Sequence, residues 1–232
     1  MLTRIVQSAL LAGALAGLLV FAGHMWKTTP LIVHAEVYET AKPAAPAHSH
    51  DHATPAAEAH DHGEGWAPED GLQRSAFTLL SDVITGVGFA FLLIGAMVLS
   101  GREAGWKGGM VWGLCGYAAF YLSPAFGLSP ELPGMLAADL IERQAWWLGT
   151  AAATAVALAL LFFAESPLWK FAGALLLVAP HIVGAPHPPI EPGGVPAELA
   201  AQFAVATLVV TGLFWLALGA FSGYFLKRFD TA

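Results

Sequence analysis

Unbroken apolar runs constrain this chain more than any other feature. Residues 75–100, "SAFTLLSDVITGVGFAFLLIGAMVLS", hold Asp82 as their one ionisable side chain. The run neither alternates nor keeps a heptad seam, so no face is reserved for water. An apolar stretch of roughly 18 residues or more needs a bilayer as its solvent. Comparable runs fall at about 5–26, 108–128, 145–164, 171–186 and 199–225, each ended by charge or by Pro and Gly. With 56% hydrophobic and 12% charged residues, the composition is not that of a soluble domain. The sequence predicts an all-α integral membrane protein, a single membrane domain over residues 1–232. Six transmembrane helices are expected, or five if "FAGALLLVAPHIVGAP" (171–186), short and interrupted by Pro180, fails to cross.

The basic residues orient these spans. With six, the N-terminus, the loops at 101–107 and 165–170 and the C-terminus share one side and hold Arg4, Arg102, Lys107, Lys170, Lys227 and Arg228 in short flanks. Lys27, Lys42, Arg74 and Arg143 are spread over longer loops opposite. By the positive-inside rule both termini are cytoplasmic, and residues 27–74 form an external loop. Of the 17 acidic residues, 13 then lie outside, Glu103, Glu165 and Asp230 inside, and Asp82 within a span. The first apolar run is too long for a usual signal-peptide core and lacks a convincing small-x-small site, so it is read as a retained span.

Spans three-four and five-six look like two copies of one hairpin. "SPAFGLSPELPGMLAADLIERQ" and "APHIVGAPHPPIEPGGVPAELAAQ" align Pro124 with Pro180, Asp139 with Glu198 and Gln144 with Gln202. Spans one-two form a third copy if their loop has grown, and such tandem helical hairpins are one way to build a transporter. Any two short hairpins with Pro-Gly loops would also look alike.

The external loop contains "AHSHDHATPAAEAHDHGEG" (47–65), with His48, His50, His52, His60 and His62 among carboxylates, Ala and Pro. Nothing there can bury, so the tract is expected to be disordered. Imidazole with carboxylate suits borderline divalent cations, without choosing among them. The alternative is a solvated acidic linker. Loose geometry of this kind suits capture and delivery.

Asp82 is expensive inside a bilayer and should face the bundle and find a partner. It lies roughly 12 Å below the outer boundary, counted from Arg74, and His181 roughly 15 Å above the inner end of span five. Pro180 frees a carbonyl around position 176, as in the interrupted spans of transporters. Asp82, His181 and that carbonyl would together satisfy a divalent ion, although structural hydrogen bonding would also account for either side chain. His24, in "AGHMW", stands at the outer mouth as an interfacial histidine or a ligand. His34 and Glu36, on a short interfacial helix or strand, and His187, in "GAPHPPIEP", complete the set. His187 is placed to hand metal from the tract to His181. Asp139 and Glu198 open helices, where a carboxylate favours the dipole without further function. Trp26, Trp66, Trp106, Trp146 and Trp147 fit an aromatic belt. Met97, Met110 and Cys115 fall in the inner half, where packing explains them better than an exit path.

Cys115 is the sole cysteine, which excludes a disulfide or cysteine zinc site within one chain. The net charge of −7 argues against a nucleic-acid partner. No phosphate loop, His-Glu-x-x-His pair or nucleophile elbow occurs, so neither an enzyme nor a prosthetic group is expected.

"GREAGWKGGMVWGLCGYAAFYLSPAFGLSPELPGMLAADLIERQAWW", followed by "PHIVGAPHPP", and "HAEVYE" before the His-rich loop resemble the CbtA family of predicted cobalt transporter subunits, over nearly the whole chain. The resemblance implies a bacterial inner-membrane protein serving cobalt supply for cobalamin synthesis beside a small one-span, His-containing CbtB partner. That family is usually described with five spans. It carries over Pro180, His181, Gly184, Ala185 and Pro186, and more weakly Asp82 and Glu36. The expectation is a subunit that captures Co²⁺, or Ni²⁺ or Zn²⁺, on the tract and passes it to a site in the outer half of the membrane. The rival is a membrane-anchored subunit that presents metal without moving it.

Overall fold

The computed structural model describes residues 1–40, 68–101, 105–188 and 194–230. Six helical rods account for the expected runs, and no strand occurs among the described residues. The first rod is α1 (Leu2–Gly23), a π-turn (His24–Thr28) and α2 (Thr29–Thr40). It therefore outruns the expected 5–26, and "LIVHAEVYE" resolves as helix. Next come α3 (Leu72–Leu99) and α4 (Trp106–Tyr117), which passes through a second π-turn (Ala118–Leu122) into the short α5 (Ser123–Ala125). The last three are α6 (Leu140–Phe163), α7 (Pro167–Val183) and α8 (Ala197–Arg228). Four rods, Leu2–Tyr38, Leu72–Leu99, Leu140–Phe163 and Ala197–Arg228, are long and apolar enough to cross a membrane. The fifth, α7, has 17 residues and ends where Gly184 turns to φ 85°.

Both chain ends lie together. Arg4 donates from Nε to the Leu226 carbonyl at 2.8 Å and pairs with Asp230. From this terminal end the rods rise to the opposite end, where α2 stops at Thr40 and α3 begins at Leu72.

Small residues decide which rods pack. On α1, Ala9, Ala12, Gly13, Ala16 and Gly17 are buried along one face against α3. A Cβ at Gly13 would stand 2.3 Å from Val87 Cα, and one at Gly86 would stand 2.5 Å from the Gly13 carbonyl oxygen. The same spacing joins α4 to α8, where a Cβ on Gly109 would stand 2.1 Å from the Gly219 carbonyl oxygen. Lipid tails are as apolar as Leu, so close backbone approach, not hydrophobic exclusion, holds such helices together. Because α1 also packs on α8, these contacts make a four-helix body of α1, α3, α4 and α8. Its core holds Leu93, Ile94, Met97 and Leu218, and Trp215 packs there against Phe89 and Phe120 with ring centroids 4.8 and 5.8 Å away.

Helices α6 and α7 form an arm. They pack on each other, and α6 meets the body mainly at the π-turn and α5. The spans expected to pair as third with fourth and fifth with sixth therefore find their main partners differently: third with sixth, fourth with fifth. On the terminal side, Leu92, Val111, Cys115 and Phe162 help line an apolar cleft of about 770 Å³ between α3, α4 and α6. At the opposite end, Ala35, Leu132, Leu199 and Phe203 form a second small core joining α2, the 126–139 loop and α8.

Candidate functional site

Two polar centres lie within the rods, one in the body and one where the arm meets it. In the body, α1 ends at His24, which opens the π-turn, and Asp82 stands on the facing side of α3. His24 Nδ1 is 3.0 Å from Asp82 Oδ2. With the carboxylate accepting, the imidazole donates from Nδ1, and Nε2 takes no part in this bond. The side chains are 26% and 13% exposed, leaving the pair partly shielded yet reachable. The π-turn widens the helix where His24 departs from it, a distortion that recurs at functional positions.

Above this pair, Glu36 of α2 is bridged to Arg74 of α3, and Arg74 also holds Asp70 at 2.9 Å. The clamp draws together the two helices that emerge from either end of the tract. Along the axes, Thr40 stands roughly 24 Å above His24, and Leu72 roughly 15 Å above Asp82. His34 is exposed, its ring 6.4 Å from that of Tyr38.

The second centre has no carboxylate. His181 Nε2 lies 3.1 Å from Ser123 Oγ, and the Thr154 hydroxyl donates to Ser123 Oγ at 2.9 Å. Ser123 and Thr154 are buried, whereas His181 is exposed. Trp146 and Phe126 flank that ring at 6.2 and 6.1 Å, both edge-on. Pro124 and Pro180 each remove one helix N–H beside the cluster. The helix nevertheless continues through Pro180 to Val183.

The structure thus does not bring Asp82 and His181 together as one site. Each takes a nearer partner, His24 and Ser123 respectively, because α3 lies in the body and α7 on the arm. Among the described residues no three His, Cys, Asp or Glu side chains converge. His187 is exposed beyond the end of α7. His48, His50, His52, His60 and His62 lie outside the described residues. Asp139 caps α6, accepting from the N–H groups of Ile141 and Glu142 at 2.9 and 3.1 Å. Met97 is a buried core residue, and Cys115 lines the apolar cleft. Trp26 is exposed with Lys27 over its ring, as a belt residue should be, but the indole nitrogen of Trp146 is buried.

Sequence reasoning passed over Ser123, Thr150 and Thr154. The available signal was the recurrence of Trp146, Thr150 and Thr154 every fourth residue along an otherwise apolar helix.

A family model described as "Probable cobalt transporter subunit (CbtA)" matches residues 2–227. No curated protein and no solved structure matched the chain.

Proposed function

The chain belongs to the CbtA family of probable cobalt transporter subunits, and from that premise we propose that it takes Co²⁺ from the tract side and receives it at His24 and Asp82. All six rods cross the bacterial inner membrane with both termini cytoplasmic. The histidines at 48, 50, 52, 60 and 62 collect the cation outside. The observation that carries the reading is the 3.0 Å contact between His24 and Asp82 on the two helices that border the tract. A histidine that donates one ring N–H to a carboxylate presents its other nitrogen as an oriented, more basic ligand, the usual support of a metal-binding imidazole. Ni²⁺ and Zn²⁺ would suit the same ligands, since donor type alone does not separate them. A one-span, His-containing subunit of the CbtB kind supplies further ligands.

A second reading has an observation in its favour. One imidazole and its supporting carboxylate make an incomplete site, and no group of three or more His, Cys, Asp or Glu forms among the described residues. On this reading the chain presents metal to a partner without conducting it.

Radiolabelled Co²⁺ uptake in cells lacking their own cobalt importers separates the two, comparing this chain alone, with the small partner, and each with His24→Ala or Asp82→Asn. Transport predicts uptake that falls at least about tenfold in either variant, the scale of losing an oriented ligand or its support. Presentation predicts Co²⁺ retained at the membrane with no uptake by any combination. Deleting residues 47–62 should raise the Co²⁺ concentration needed for half-maximal uptake while leaving the maximum nearly intact; loss of the maximum would contradict a capture role for the tract.

A further inference from the structure

The arm contains a polar feature that the His24–Asp82 route does not use. Two atoms on one face of α6, Trp146 Nε1 and Thr150 Oγ1, are buried without a hydrogen-bond partner, and Thr150 is 1% exposed. Threonines in helices usually return their hydroxyl to the carbonyl one turn back. Thr78 and Thr207 do so here, bonding the carbonyls of Arg74 and Phe203 at 2.9 and 2.7 Å. Thr150 does not, although the carbonyl of Trp146 stands in the equivalent place. One turn further on, Thr154 begins the hydrogen-bonded chain through Ser123 to exposed His181. The ring of His181 in turn sits 6.2 Å from that of Trp146.

A buried donor or hydroxyl left dry in a low-dielectric interior costs about 1–3 kcal/mol. Residues four apart on a helix place their Cβ atoms roughly 6 Å apart, close enough for one water to bridge both. Indole N–H can only donate, whereas a threonine hydroxyl donates and accepts; a water between them uses both capacities. Ser8 and Ser222 also have unpartnered hydroxyls, but Ser222 stands between Gly219 and Gly223, and Ser8 beside Ala9 and Ala12, on the tightly packed helices of the body.

We propose that Trp146, Thr150, Thr154, Ser123 and His181 line an internal hydration site, whose ligand is water and whose mouth is at His181. Hydration lets the arm present polar groups along roughly 12 Å of α6, the axial distance from Trp146 to Thr154. The site carries no carboxylate, so it suits water better than a bare divalent ion, which would need charge compensation in that setting. It is separate from the proposed Co²⁺ site and does not require that site to be correct.

Radiolytic hydroxyl-radical footprinting of the full chain in lipid nanodiscs tests the proposal, because radicals formed from bound water oxidise side chains that bulk solvent cannot reach. Trp146 should oxidise severalfold faster than Trp112, which is likewise half-buried but packs on the apolar core. Thr150→Val should slow oxidation of Trp146 to near the Trp112 rate and lower the Tm, while Thr150→Ser, which retains the hydroxyl, should preserve both. A dry site gives the opposite sign, since replacing an unpaired hydroxyl by a methyl is neutral or stabilising. Unchanged oxidation of Trp146 in Thr150→Val, or a raised Tm, would overturn the proposal. Neither readout involves cobalt, so failure of Co²⁺ uptake would leave this result standing.

Discussion

The body and the arm solve the same problem, joining apolar helices in an apolar solvent, by different means. In the body, glycines let backbones touch: Gly13 against Val87, Gly86 against Gly13, and Gly109 against Gly219. In the arm, Gly173 would place a Cβ 3.0 Å from the Ala157 carbonyl oxygen, a looser fit, and Gly149 faces open space. The polar chemistry differs in the same sense. The body carries a carboxylate–imidazole pair between closely packed rods, and the arm carries hydroxyls and an imidazole at the seam where it meets the body. The comparison teaches that the carboxylate pair is held where backbones touch, and the neutral polar groups at a seam closed by side chains, the Trp146 ring against Gly127 among them.

Substitutions in the two regions should reveal that contrast. Gly109→Leu requires α4 and α8 to separate and should abolish most of the folded, detergent-stable protein, read by size-exclusion recovery after mild extraction. Gly149→Leu, in the arm, should leave recovery close to that of the parent, as for a surface change. Equal losses would show that the arm is packed as tightly as the body.

Removing the imidazole from the pair comes next in size. His24→Ala leaves the Asp82 carboxylate inside the bundle without its partner and should destabilise by about 1–3 kcal/mol in chemical denaturation. His24→Ala with Asp82→Leu should recover part of that loss, since two apolar replacements remove the unpaired group. A double variant no better than the single one would deny that the two side chains act as a unit.

Smaller still is the effect expected at the arm. Ser123→Ala breaks the link between Thr154 and His181 and should cost about 1 kcal/mol in the same measurement. Gly173→Ala should cost less than that, because the contact is a few tenths of an ångström short rather than a clash. A Gly173→Ala loss approaching that of Gly109→Leu would erase the distinction between the regions.

Most of the rods were legible because hydropathy alone requires them: every expected apolar run became helix. Their ends were less so. Nothing in "HMWKTTP" stops a helix, since Pro30 comes one residue into a new helical segment where its missing N–H is tolerated, and the first rod runs on to Thr40. Asp82 was legible as a group needing a partner, because a carboxylate in a bilayer leaves few options. The identity of that partner was not, because counting residues puts His24 at the outer mouth and His181 nearer the depth of Asp82. Depth is read from one helix at a time, whereas partnership depends on which rods pack. The glycine spacing in α1, α3, α4 and α8 held that information. The neutral cluster escaped because Ser and Thr are unremarked in apolar helices unless their periodicity is compared with the neighbouring prolines, Pro124 and Pro180.

The length of α7 has a consequence for the lipid around it. Its 17 residues extend roughly 25 Å, against a hydrocarbon thickness of about 30 Å. A helix shorter than its bilayer draws the two leaflets together beside it, at a cost of fractions of a kcal/mol for each ångström of mismatch. On the proposed six-span reading, the membrane next to the arm is locally thin, and water stands closer to the polar groups around His181 than the nominal thickness suggests.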